Sequence, residues 1–299
     1  MLSFIDSRTN LLPTALFTVF LTACAATQAP VQQNLRVATD DLAMAADWAL
    51  TLSETHGRDN ILVVFDIDNT LLAMEQGLGS DQWYYWQKSL GEENPCSPMR
   101  VADRFATQGA VFHASAMRAT QPDAGEQIAR IQQAGIRTMA LTSRGPDYQL
   151  QTFRELRRAG ISFWQTAPEP AHGWPEPFVP DGGTRTALYQ DGVFLTAGQH
   201  KGDMLSALLN KTGTPLPKVI VMVDDKQENL DAVLEGFADS PAAVHAWRYT
   251  REDSEVEAFN PQEADRQWRA IYPALRQVQE VFGPDNFHLP DDFNPVCIE

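Results

Sequence analysis

Three short, largely apolar runs stand out from a chain whose other hydrophobic positions mostly recur at helical spacing: Val63-Val64-Phe65, Ile136 to Leu141, and Val219 to Val223. Runs of this length with little polar alternation predict strands buried on both faces, as in a parallel sheet covered by helices. Helical periodicity predicts the cover. Leu35, Leu42, Ala45, Ala46 and Ala49 mark an amphipathic helix over Leu35 to Leu52, and further helices are expected over Pro122 to Gly135, Tyr148 to Gly160, Gly202 to Leu209 and Pro261 to Phe282. Ile161 to Trp164 reads as a short strand after the third of these, and the Pro- and Gly-rich run Pro168 to Gly183 as an irregular loop. Ala187 to Gln190 and Val193 to Thr196 flank Asp191-Gly192, a dipeptide that accepts the positive φ angles of a type I′ turn, so a hairpin is predicted. The pattern as a whole specifies an α/β fold with a central parallel sheet.

About seventy residues separate the first apolar run from the second, far more than a βα crossover needs, so the chain inserts something there. The insertion opens on Asp81-Gln82-Trp83-Tyr84-Tyr85-Trp86-Gln87-Lys88-Ser89-Leu90, the densest aromatic segment of the sequence. Trp83, Trp86 and Leu90 share one helical face and are expected to pack the insertion onto the core. Tyr84 or Tyr85 is then the candidate to face the cleft and stack on a substrate.

The length of 299 residues allows one large domain or a core with an insertion. A formal net charge of −16, from 39 acidic against 23 basic residues, repels a phosphate backbone and argues against nucleic-acid polymers as partners. A small anion held at a metal site remains compatible with it.

Each apolar run ends in chemistry. The first ends in Asp66-Ile67-Asp68-Asn69-Thr70, and because alternate residues of an extended segment share a face, Asp66 and Asp68 address one point at the strand's C-terminal edge. Open α/β sheets bind their ligands at that edge. The second run ends in Thr142-Ser143-Arg144, and the third in Asp224-Asp225 with Asn229 shortly after; Lys201 lies between them, ahead of a helical segment.

These four elements, in this order, resemble motifs I to IV of the haloacid dehalogenase (HAD) superfamily, most of whose members transfer phosphoryl groups. The resemblance implies a Rossmann-like core with a central parallel sheet and a small helical cap inserted after motif I. It makes Asp66 the nucleophile that forms an aspartyl-phosphate, and Asp68 the acid and base, kept protonated by its like-charged neighbour. Thr142 and Lys201 would stabilise the phosphoryl group, with Ser143, Arg144, Tyr84 and Tyr85 contacting substrate; for Arg144 a pair with a surface acid is the alternative. Magnesium is the implied cofactor, bound by Asp66, Asp68 through its backbone carbonyl, and Asp224 or Asp225. Asn229 would orient an aspartate or face its own helix.

The N-terminus carries Arg8, the apolar stretch Leu11 to Phe20, and Leu21-Thr22-Ala23-Cys24, which is similar to a secretory signal ending in a bacterial lipobox. That likeness implies lipidation at Cys24 and, with Ala25 following, an outer-membrane address in the cell envelope, a lipid bilayer being the partner of the anchor. Together with the W-x-x-W segment, the motifs resemble the secreted class C acid phosphatases, lipoprotein nucleotidases of bacterial surfaces, although that family carries an acidic residue where Asn69 stands and a longer, glycine-bearing motif IV. The domain plan that follows is a signal peptide at 1–23, a tether at 24–34, a core at 35–80 and 120–282, a cap at 81–119 and a tail at 283–299. Cys96 and Cys297 form a disulfide or remain two structural thiols. The implied activity is hydrolysis of nucleotides or other small phosphomonoesters. Alternatives are a non-catalytic HAD-fold lipoprotein that binds a ligand or partner, and a phosphomutase, whose cytosolic sugar phosphates sit poorly with an exported chain.

Overall fold

Every residue of Ile61–Phe65 is buried, as a strand covered on both faces requires. A computed structural model describes residues 33–283 and Leu289. Its strands, in chain order, are β1 (Leu35–Thr39), β2 (Ile61–Phe65), β3 (Leu72–Met74), β4 (Met117–Ala119), β5 (Arg137–Thr142), β6 (Leu188–Gln190), β7 (Val193–Leu195), β8 (Val219–Asp224) and β9 (Ala243–Tyr249). The helices are α1 (Leu42–His56), α2 (Asp81–Glu93), α3 (Arg104–Ala114), α4 (Ala124–Gln133), α5 (Gln149–Arg158), α6 (Lys201–Thr212), α7 (Gln227–Gly236), α8 (Asp253–Glu257) and α9 (Pro261–Phe282).

The main sheet has seven strands in the order β1-β9-β8-β2-β5-β7-β6, parallel throughout except for the β6–β7 hairpin at one edge. Period-two alternation splits β2 between two cores. Ile61, Val63 and Phe65 face a cluster built with α1, α4 and α5, whereas Leu62 and Val64 face a second cluster built with α6 and α7. Val219, Val221 and Val223 of β8 repeat the first assignment, and Ile220 and Met222 the second. The result is a mixed α/β fold with a central, mostly parallel sheet, as the apolar runs predict, and it is Rossmann-like, as the resemblance implies. Among the described residues no helix is long and apolar enough to cross a membrane.

Two local expectations are overturned. Leu35 to Thr39 is an edge strand paired parallel with β9, and the helix begins only at Leu42, after Asp41 caps it by accepting from the backbone N–H of Ala43 at 2.9 Å. Val37 and Thr39 are β-branched and occupy alternate positions, a short period-two signal that the longer helical one masks. Ile161 to Trp164 forms no strand. The parallel neighbour of β5 is instead β7, so Ile161 and Phe163 enter the core from irregular backbone. The hairpin itself forms as predicted, with φ of 47° at Asp191 and 76° at Gly192.

The insertion consists of α2 and α3, entered and left through the two-stranded β3–β4 pair. Trp83 faces inward as expected, but into a cluster that holds Val101, Ala110 and Val111 of the insertion together with Ala264, Trp268 and Leu275 of α9, and Trp86 lies against the Phe259 ring just before that helix. The C-terminal helix, placed in the core by the domain plan, therefore shares a separate apolar cluster with the insertion. Cys96 is disulfide-bonded. Cys24 with its signal, and Cys297 with the tail from residue 284 (Leu289 excepted), lie outside the described residues.

Candidate active site

Strand order reverses at β2: the chain continues through β5 and β7 on one side and later through β8 and β9 on the other, where β1, the first strand, forms the edge. Such a switch point opens a crevice beyond the strands' C-terminal ends. Asp66 leaves β2 there with its N–H donating to the carbonyl of Val223 at 2.9 Å, so it emerges beside Asp224 at the end of β8. Thr142 ends β5 on the opposite flank.

Lys201, the first residue of α6, is 2% exposed and donates to Asp66 Oδ1 at 2.5 Å and Asp224 Oδ2 at 2.6 Å. Burial by itself would lower its pKa, but the charges of Asp224 and Asp66 outweigh burial and hold the ammonium above the ordinary lysine range. Gln199 fixes the approach to Lys201. Its carbonyl accepts from the N–H groups of Thr184 and Arg185, and its amide donates to the carbonyls of Arg185 and Thr196. Asp224 is oriented by the N–H of Lys226 at 2.8 Å and by Asn229 Nδ2 at 3.0 Å, both on Oδ1. Of the two roles open to Asn229, the structure shows the orienting one.

Carboxylate oxygens of Asp66, Asp224 and Asp225 all lie within 4.8 Å of one another. Burial, with Asp224 and Asp68 adding and Lys201 opposing, pushes Asp66 up to about 7. Asp225 is pushed to about 9 by burial and by the charges of Asp66 and Asp224. Among the described residues no cation forms an ion pair with Asp225, although Lys201 serves Asp66 and Asp224, Arg144 serves Asp68, and Lys226 serves Asp81. Three crowded oxygen donors, one of them without a cation partner, fit a hard divalent cation.

Asp68 departs from its expected state. Both its oxygens accept from Arg144, Nε to Oδ2 at 2.9 Å and Nη2 to Oδ1 at 2.8 Å. Burial would raise its pKa, but the Arg144 charge and hydrogen bonds win and lower it below the usual carboxylate range. The proton that a like-charged neighbour was expected to hold on Asp68 is thus disfavoured. Arg144 is itself locked, donating to Thr152 Oγ1 at 2.9 Å with its guanidinium 4.6 Å from the Phe112 ring of α3. It is neither a free phosphate ligand nor a surface ion pair.

The remaining candidates divide. Thr142 is fully buried, its hydroxyl oxygen accepting from the N–H of Arg144 at 3.2 Å, which leaves the O–H proton to donate. Ser143 is exposed. Tyr84 is half-buried beneath Arg104, whose guanidinium lies 4.9 Å from its ring. Tyr85 is 43% exposed and carries Lys226 Nζ 3.7 Å from its centroid. Lys226 also donates to Asp81, the first residue of α2, at 2.7 Å.

Sequence reasoning assigned no role to Thr70, Asp81 or Lys226. Thr70 Oγ1 accepts from the N–H of Asp225 at 2.9 Å, so the fifth residue of D-x-D-x-T braces the β8 loop. Its place in that motif was the available signal; for the Asp81–Lys226 pair, 145 positions apart, there was none. A cavity of about 600 Å³ lies elsewhere, lined in part by Glu75, Arg118, Glu252, Phe259 and Glu263. None of the aspartates above reaches it, and Arg118 and Glu252 close on each other there in a bidentate pair.

Residues 45–279 match a family described as "Protein of unknown function (DUF2608)". A Chlamydia pneumoniae protein named "Putative outer membrane protein" is 26% identical over 179 residues, covering 58% of this chain. The match spans 63% of that protein's own length, a little under two thirds.

Proposed function

This chain belongs to the DUF2608 family of proteins of unknown function, and from its carboxylate site we propose that it is a magnesium-dependent phosphomonoester hydrolase acting through an aspartyl-phosphate. The reading places it in the HAD superfamily and in the bacterial cell envelope, anchored at Cys24. A distant relative with the name "Putative outer membrane protein" supports the location. One observation carries the activity: Asp66, Asp224 and Asp225 converge within 4.8 Å at a switch point, with Lys201 bridging only the first two.

Asp66, Asp224 and Asp225 would hold the metal. When bound, a hard divalent cation supplies positive charge to the phosphoryl oxygens and favours the ionised forms of its ligands. Lys201 offsets charge on the nucleophile and on the phosphoryl group, and the Thr142 hydroxyl donates to a phosphoryl oxygen. A carboxylate oxygen of Asp66 attacks phosphorus as the bond to the leaving oxygen breaks, and that oxygen keeps the electron pair. Water then attacks the acyl-phosphate, the bond from phosphorus to Asp66 breaks, and Asp68 takes the water's proton. Arg144 keeps Asp68 ionised and so suits it to the second step. An alkoxide leaving group would require release of the Arg144 fork before Asp68 could serve as its acid.

The test is hydrolysis of p-nitrophenyl phosphate by the chain starting after Cys24, with and without magnesium, beside Asp66→Asn. Magnesium-dependent turnover is expected, falling on the order of a thousandfold or more in the variant. Equal background rates in two folded proteins would sink the hydrolase reading in favour of a non-catalytic ligand-binding lipoprotein.

A further inference from the structure

Two cations lie over the Tyr84 and Tyr85 rings of the insertion and take no part in the proposed chemistry. Lys226 follows Asp225 directly and reaches toward the insertion, where Asp81 Oδ2 accepts from its ammonium at 2.7 Å. An ammonium has three donors, of which Asp81 engages one and the Tyr85 hydroxyl another. Its side chain is 20% exposed, and its charge acts on Asp68, Asp81 and Asp225, which places it at the opening of the cluster. Arg104 of α3 is the second cation. Its guanidinium lies 4.9 Å from both the Tyr84 and Phe105 rings, and its Nε is buried with no hydrogen-bond partner. Tyr84 and Tyr85 meet edge to face at 5.3 Å and join the two cations into one surface.

On a chain with a net charge of −16, an anion approaching this site meets a repulsive field, and only local cations can reverse it. Asp81 leaves the Lys226 ammonium with donor capacity to spare, and that side chain stays 20% exposed. A stronger anion can share the ammonium with Asp81 or replace it. We propose that Lys226, with Arg104 beside it on the Tyr84–Tyr85 platform, selects phosphomonoesters whose leaving group carries a second anionic group, a carboxylate or a further phosphate. This inference rests on the hydrolase reading above, and it makes Lys226 a specificity-determining residue rather than a simple tie between insertion and core.

The experiment compares 4-carboxyphenyl phosphate with phenyl phosphate, which differ by one remote charge, in the wild type, Lys226→Met and the charge-balanced double variant Asp81→Asn/Lys226→Met. The ratio of kcat/KM for the carboxylated over the plain ester is expected to fall about tenfold or more in both variants, chiefly through KM, the size expected for one charge-assisted hydrogen bond. A structural tie would depress both esters alike, so an unchanged ratio in the folded double variant overturns the proposal. If the wild type hydrolyses neither ester, the hydrolase reading fails separately, and calorimetric affinities for 4-carboxybenzylphosphonate and benzylphosphonate decide the matter. Preference for the carboxylated ligand, lost without Lys226, upholds the selection; no preference overturns it.

Discussion

Of the site's aspartates Asp66, Asp68, Asp224 and Asp225, Asp225 is the one without a cation partner among the described residues, and its protonation links stability to pH. Burial and neighbouring acids raise Asp225 to about 9 and Asp66 to about 7, against an ordinary 3.8. Between the ordinary and the raised values, the folded chain therefore binds protons that the unfolded chain has released, and stability falls as pH rises. Without added metal, the thermal midpoint is expected to drop from about pH 5 to about pH 9, with Asp225→Asn flattening the slope. Magnesium should stabilise more at about pH 8 than at about pH 5, since its ligands must be deprotonated. A magnesium effect that ignores pH, together with an unchanged slope in the variant, would remove Asp225 from the metal site. Asp66, Asp68, Thr142, Lys201 and Asp224 were all legible, because each ends a buried strand, follows one within three residues or begins a helix. The fork of Arg144 on Asp68 was not, since its bond depends on how two loops 76 positions apart meet.

Helix α6 delivers Lys201, and its placement depends on a close approach of backbones. A Cβ on Gly202 would lie 2.1 Å from the carbonyl oxygen of Ala232 in α7. Alanine is the better helix former, by about 1 kcal/mol, but here it must push α6 and α7 apart. Gly202→Ala is expected to cost a net of about 1–3 kcal/mol in urea unfolding, and to lower magnesium-dependent turnover by shifting Lys201 from Asp66 and Asp224. Wild-type stability and turnover in that variant would mean that this contact does not position the lysine. At this scale, elements with one dominant period were readable: α9 spans Pro261–Phe282 as its proline start and helical spacing predict. Leu35 to Thr39 was not readable, because an edge strand of five residues abuts a helix whose stronger periodicity runs into it.

Across the molecule, the described residues gather into two clusters on either side of the sheet and a third shared by the insertion and α9. Trp83 and Trp268 are both buried in the third, while Gln87 bonds the backbone of Met99 and Val101 and closes the segment between α2 and α3. The insertion therefore depends on the far end of the chain. Trp268→Ala is expected to remove about 3–5 kcal/mol of local stability. Hydrogen exchange should then accelerate over residues 81–119 while β2, β5 and β8 keep their protection. Equal acceleration in the sheet would mean that insertion and core unfold as one unit.

By itself the sequence determined the α/β class, the three central strands, the order of the four polar motifs and the carboxylates that end them. All of these follow from local periodicity and from the rule that ligands meet a parallel sheet at its C-terminal edge. The packing of the folded chain set which cation answers which aspartate, placed β7 rather than Ile161 to Trp164 beside β5, and brought α9 against the insertion. Those outcomes depend on contacts between segments distant in the chain, where burial strips water from charges and makes the nearest available partner decisive.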